Sequence, residues 1–101
     1  MSIINGKTDN GVLILSAQGR IDSTNAPQAE AEIEALRASE AHTSAILDLE
    51  DLEYISSAGL RVLLKYHKQM SRKGGMTISN INELVQEVLD VTGFTEIITI
   101  A

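Results

Sequence analysis

The sequence predicts an α/β domain: a mixed, mostly parallel β-sheet with an N-terminal β-hairpin and α-helices packed against it. Three observations carry this. Beyond residue 20, helix-periodic stretches and short apolar runs alternate three times. Small turn clusters separate them, with no long polar linker. Near the start, Asp9-Asn10-Gly11 joins two apolar runs, Ile3-Ile4 and Val12-Leu13-Ile14-Leu15.

The elements follow in chain order. Asn-Gly supplies the positive φ angles of a tight hairpin turn, so the first two strands pair antiparallel. In the second, Val12, Ile14 and Ser16 share one face and Leu13, Leu15 and Ala17 the other. A strand apolar on both faces belongs inside its sheet, and Gly19 is expected to close it. Ser23-Thr24-Asn25 offers caps and Pro27 suits a first helical turn, giving a helix over 25–39. Its apolar side is Ala26, Ala29, Ile33 and Leu36; Glu30, Glu32, Glu34 and Arg37 are read as its solvent side. Ala45–Leu49 reads as a buried strand, and Glu50–Ile55 as its exit.

Leu60, Leu63, Leu64, His67 and Met70 then recur on one helical face that stops at Gly74-Gly75. Met76–Ser79 is a short strand. Asn82 caps a third helix with apolar side Leu84, Val85, Val88 and Leu89, ended by Gly93; Ile97–Ile100 is the last strand. The order is ββαβαβαβ, in one domain over residues 1–101. Right-handed crossovers then lay the helices against the sheet.

Composition narrows the function. The chain has 101 residues, 44% hydrophobic and 22% charged, enough for one modest core and too apolar for disorder. No apolar run nears the roughly 18 residues of a membrane span. Residues Met1–Lys7 lack the pattern of a signal peptide, so a cytoplasmic protein without membrane partners is expected. With no cysteine, disulfides, thiol catalysis and thiolate zinc sites are excluded. A net charge of −6 argues against nucleic acid, and two Tyr, one Phe and no Trp leave few stacking platforms.

The most informative segment is Leu49–Leu60, where Ser56-Ser57-Ala58-Gly59 stands between a strand and a helix. A serine there is a natural N-cap. The same helix start presents free N–H donors and a positive dipole end, which also tolerate a phosphate. A phosphoserine adds about −1.5 to −2 charges at neutral pH. On a flat turn of small residues that would repel an acidic partner. Ala58 and Gly59 are read as small enough for a partner's close approach.

This segment resembles the STAS domain of bacterial anti-sigma-factor antagonists. Leu47–Leu52 matches the family's buried strand and exit, and Ser57–Leu64 its switch and helix. Gly19-Arg20-Ile21-Asp22 is similar to the family's element after the second strand; Asn80-Ile81, Val88-Leu89 and Gly93-Phe94 fit the later part. The resemblance implies a STAS fold and a partner switch. The unphosphorylated protein binds an anti-sigma factor that is also a serine kinase of GHKL type, and so frees a sigma factor. Phosphorylation abolishes binding, and a PP2C-type phosphatase restores it. By alignment the acceptor is Ser57. Ser56, which falls where the family often has Asp, stays open as a second hydroxyl. Asp22 maps near the switch, as a partner contact or as a cap of the next helix. The docking surface expected is Asp22, Ser56, Ser57, Ala58, Gly59 and Arg61, on a monomer or weak dimer. Longer family members continue into a further helix beyond the last strand, where this sequence stops at Ala101.

No catalytic constellation, metal site or cofactor is expected. His42 lies in a polar turn and His67 on a helix stripe, without a matched nucleophile or metal-ligand spacing. The acidic runs Glu30/Glu32/Glu34 and Glu50/Asp51/Glu53 read as solvated faces, the second able to meet a kinase's basic surface. Gly74-Gly75 follows a helix and lacks the phosphate-loop pattern, so ATP belongs to the partner. Arg61, Lys65, Lys68, Arg72 and Lys73 form a basic stripe that solvates the helix or meets acidic groups. Three rivals remain: the same switch with a non-sigma output (secretion or phosphatase control), a STAS module sensing a small ligand, and a small enzyme.

Overall fold

Chain direction reverses once, at the first turn, and never again within the sheet. The computed structural model describes residues 2–39, 42–71, 74–93 and 99–100. Strand β1 (Ile4–Asp9) pairs antiparallel with β2 (Val12–Ile21). Asn10 (φ 51°) and Gly11 (φ 82°) form the two-residue turn, both in the left-handed region that this hairpin type demands. Helix α1 (Ala26–Ser39), β3 (Ser44–Ile55), α2 (Ser57–Met70), β4 (Met76–Ser79), α3 (Glu83–Val91) and β5 (Thr99–Ile100) follow. The sheet order is β1-β2-β3-β4-β5, with β2 to β5 all parallel. Three successive crossovers step across the sheet in one direction. With right-handed connections this stacks all three helices on one face.

The core lies between that face and the helices. Leu13, Leu15, Leu47, Leu49, Leu52, Ile55, Leu63 and Ile78 are fully buried. Their even-numbered neighbours Val12, Ile14, Ser16 and Ile46 are half-buried on the other face. The predicted alternation of β2 therefore holds, with helices covering one side only.

Strand β3 departs most from expectation. Residues 50–55, read as an exit, belong to the strand. Its alternation breaks: Leu49, Leu52 and Ile55 are all fully buried at a spacing of three. Two register shifts against β2 explain this, one opposite Ser16–Gln18 and one opposite Gly19–Arg20. Each gives β3 one extra residue, and each extra residue returns the next apolar side chain to the core. Asp48 fixes the first: its Oδ1 accepts from Glu50 N–H (3.0 Å) and from Asn80 Nδ2 (3.1 Å). Strand β2 likewise runs through Gly19 (φ 74°) to Ile21, two residues past its expected end.

Other expectations need correction. Tyr66, absent from the predicted stripe, is 2% exposed in the α2 core face, while Leu64 and His67 are half-buried. The stripe is rotated: the buried residues of α2 are Gly59, Leu60, Leu63, Tyr66 and Met70. His42, read as part of a polar turn, is buried. Leu84 faces outward, 49% exposed, so Val85 and Leu89, with the half-buried Val88, carry the buried side of α3. Glu32 is no mere solvent residue. Its carboxylate accepts from the N–H groups of Ile3 and Ile4, each at 2.8 Å, and so pins the chain entering β1 onto α1. Partial burial pushes its pKa up, but the Ile4 N–H, the Gln28 amide and the Ile3 N–H outweigh this and hold it below the usual carboxylate value. The last predicted strand is seen at Thr99–Ile100; its residues 97–98 lie outside the described ones.

Candidate functional site

The parallel strands β2 and β3 end side by side, and both helix starts that follow them meet there. Ser56 N–H donates to the Ile21 carbonyl at 2.8 Å. The residues next along each chain are Asp22 and Ser57, so two positions 35 apart in sequence are brought to one corner of the sheet.

The two serines of the turn have different duties. Ser56 is extended (φ −94°, ψ 175°) and is the N-cap of α2, its hydroxyl accepting from Gly59 N–H at 3.4 Å. Its carbonyl accepts the first helical bond, from Leu60 N–H at 2.9 Å. Ser57 is the first helical residue and is exposed. Among the described residues its hydroxyl makes no hydrogen bond. The first-turn N–H groups of α2 beside it have no helical acceptor of their own, and no acid stands in that turn.

Gly59 turns inward, which corrects the reading of it as a partner contact. A Cβ there would lie 2.7 Å from both Ile21 Cγ2 and Ile55 Cγ1. Its smallness lets α2 settle on the ends of β2 and β3; the approach it permits is internal. Ala58 is half-buried and Arg61 exposed. Ser23, Ala26, Pro27 and Glu30 of the first helix region face Ala58, Arg61, Val62 and Lys65 across a groove of about 310 Å³. Glu30 and Lys65 are ion-paired over it, which raises the Lys65 pKa.

Asp22 is occupied in the way its capping alternative required. Its Oδ1 accepts from Thr24 N–H (2.9 Å) and Asn25 N–H (3.3 Å). Asn25 reciprocates: its Oδ1 accepts from Asp22 N–H (2.8 Å) and its Nδ2 donates to the Arg20 carbonyl (2.7 Å). This is a capping box. It fixes the loop that forms one wall of the corner.

Comparison with known proteins now decides the family. The model of the STAS domain matches residues 4–101. The chain belongs to the STAS domain family. It is 40% identical over 93 residues to BtrV of Bordetella bronchiseptica, which bears an anti-sigma factor antagonist's name; the match spans 91% of this chain and 79% of that one. The anti-sigma F factor antagonist of Paenibacillus polymyxa is 29% identical over 91 residues, 89% of this chain and 78% of the relative. The fold is also that of an anti-sigma factor antagonist from Mycobacterium paratuberculosis, with a TM-score of 0.85 at 23% identity, covering 96% of this chain and 82% of that structure. Of the residues singled out in the sequence, Asp22, Ser56 and Ser57 lie at this corner, Arg61 follows one turn along α2, and Gly59 lies beneath. Sequence reasoning missed Asn25, whose side chain holds Asp22. The signal was present as an Asp-x-x-Asn spacing ahead of an apolar run, but Asn25 was read only as one of several caps.

Proposed function

We propose that this STAS domain is an anti-sigma factor antagonist worked as a partner switch through Ser57. The unmodified protein binds an anti-sigma factor that is also a GHKL-type serine kinase, and a sigma factor is released. The kinase then transfers the γ-phosphoryl group of ATP to the Ser57 oxygen. The bond to ADP breaks and the hydroxyl proton is lost. The phosphorylated protein lets go, and a PP2C-type phosphatase hydrolyses the ester to restore the serine.

The observation that supports Ser57 over Ser56 is the division of labour between their hydroxyls. Ser56 caps α2 and is half-buried; Ser57 is exposed with its oxygen free. A phosphate on Ser57 would stand by the unpaired N–H groups and positive end of α2, where an anion is favoured. The helix therefore survives the modification while its surface changes by about −1.5 to −2 charges. The relatives' names support an anti-sigma factor as the partner.

The test is phosphosite mapping of the protein and its Ser57→Ala and Ser56→Ala variants from the native cell. The expected result is that phosphate disappears from Ser57→Ala and persists in Ser56→Ala. Stoichiometric phosphate on Ser57→Ala would overturn the assignment.

A further inference from the structure

Charge is sharply segregated along this chain. No Asp or Glu stands between Glu53 and Glu83, whereas five of the eight bases, Arg61, Lys65, Lys68, Arg72 and Lys73, fall in that interval. The remainder carries fourteen acids against three bases. A protein of net charge −6 thus concentrates its positive charge on one helix and its exit.

Helix geometry arranges the described cations. Ser57, Arg61, Lys65 and Lys68 succeed one another at steps of four, four and three, and Leu64 lies three residues after Arg61 and four before Lys68, which places them on one face. Arg61, Lys65 and Lys68 are exposed, and with Leu64 and Gln69 they line a surface groove of about 340 Å³. Arg61 and Lys65 also line the groove that begins at Ala58. The cationic stripe is therefore continuous with the Ser57 corner. Fold stability accounts for part of it, since Lys65 pairs with Glu30 and Lys68 stands in the last turn of α2, where a cation complements the helix dipole; it does not account for Arg61. The start of α2 has no acid, and its first charge is a cation one turn from the positive dipole end. Lys65 is paired with Glu30, but among the described residues neither Arg61 nor Lys68 has an ion-pair partner.

We propose that this face of α2 docks an acidic segment of a partner protein, with Ser57 at the head of the stripe as its electrostatic gate. A protein partner is favoured over nucleic acid. A polyphosphate chain would extend past the short stripe onto the acidic remainder of the surface, whereas an acidic peptide segment can end where the cations end. The gate rests on the Ser57 reading; the surface itself does not. A phosphate at Ser57 would fall one turn from Arg61, lowering the positive charge of the stripe and repelling the acids it holds.

The probe is a polyglutamate peptide of about 20 residues, titrated into the ¹⁵N-labelled full chain and followed by amide shifts. The expected shifts cluster at 57–70. Affinity should fall about tenfold as salt rises from about 0.1 to 1 M, where screening shortens from about 10 to 3 Å. The Arg61→Gln/Lys68→Gln double variant should lose most binding. Lys7→Gln/Arg20→Gln, which removes two exposed cations elsewhere, should change it less than twofold. Shifts spread over the whole surface, equal losses in both doubles, or tighter binding of a 20-base-pair duplex than of the peptide would each overturn the proposal. Ser57→Asp separates the two readings. If it weakens the peptide severalfold, surface and gate both stand. If the peptide binds α2 and Ser57→Asp changes nothing, the acidic docking surface stands and the phosphoserine gate fails.

Discussion

The starts of α1 and α2 lie at the same corner of the sheet and are built in opposite ways. That of α1 is locked: Asp22 and Asn25 exchange side-chain bonds at 2.8–3.3 Å, and Asn25 also ties back to the Arg20 carbonyl. That of α2 is held by one long cap bond from Ser56, has no charge in its first turn, and keeps Ser57 free on the outside. What secures it is packing beneath, at Gly59, and a strand-to-cap bond from Ser56 to Ile21. The contrast is between a wall that is polar and self-satisfied and a helix start anchored from below, whose upper surface at Ser57 is exposed and makes no side-chain hydrogen bond among the described residues.

The largest break in that arrangement should come from Gly59→Val. Its Cβ alone meets two isoleucines at 2.7 Å, and neither strand end can yield freely. Overpacking of this kind costs about 1–3 kcal/mol, sometimes more. Chemical denaturation should show a loss at the upper end of that range. An unchanged midpoint would mean that α2 is not seated on Ile21 and Ile55.

The wall should yield less. Asp22→Ala removes the acceptor of two N–H groups and should cost about 1–2 kcal/mol, whereas Ser56→Ala, losing one bond of 3.4 Å, should cost about 0.5 kcal/mol. Equal losses in thermal unfolding would erase the distinction between the two helix starts. The wall side also has a pH signature. The Glu32 carboxylate, held below its ordinary pKa by the N–H groups at the start of β1, contributes stability above the unfolded value of about 4.3. That contribution is lost as pH falls through the lower folded value. Glu32→Gln should therefore be less stable by about 1–2 kcal/mol at pH 7. The gap should narrow as pH falls below the unfolded value of about 4.3 and close once the carboxyl is protonated in the folded state as well. A gap that does not narrow with falling pH would show that charge is not what holds β1 to α1.

How much of this was legible beforehand follows from which forces act locally. The hairpin was readable because Asn10 and Gly11 meet a backbone requirement that depends on no other part of the chain. Asn82 was readable as the α3 cap for the same reason, and its Oδ1 accepts from Val85 N–H at 2.8 Å. Its second task, donating Nδ2 to the Leu52 carbonyl at 2.6 Å, was not, because it depends on where β3 passes. The bulged half of β3 was misread because residues 50–55 fit no period of two. The break is supplied by Asp48 and Asn80, 32 residues apart. Gly59 was singled out correctly but for the wrong face. Residue type alone says that something comes close, and only the fold says whether it is a partner or Ile21 and Ile55. Beforehand only the family resemblance separated the two serines, since adjacent hydroxyls at a helix start compete for one cap; the geometry shows that Ser56 takes it.

The smallest effect is the most discriminating, because its sign is opposite to that of nearly every other substitution at this corner. Ser57→Asp places a carboxylate at the first position of α2, beside N–H groups without helical acceptors and in a turn with no other acid. An anion there should raise stability by about 0.3–1 kcal/mol, and the gain should fade in high salt. The hydroxyl it replaces breaks no hydrogen bond among the described residues, so nothing offsets the gain. Thermal unfolding at low and high salt should show a small upward shift that disappears. In the same protein, affinity for the partner should fall. A surface change that stabilises the fold while weakening an interface is what a switch at an open helix start requires. If Ser57→Asp instead destabilises the protein by more than about 1 kcal/mol, the hydroxyl has a structural duty. The difference between the two helix starts would then disappear.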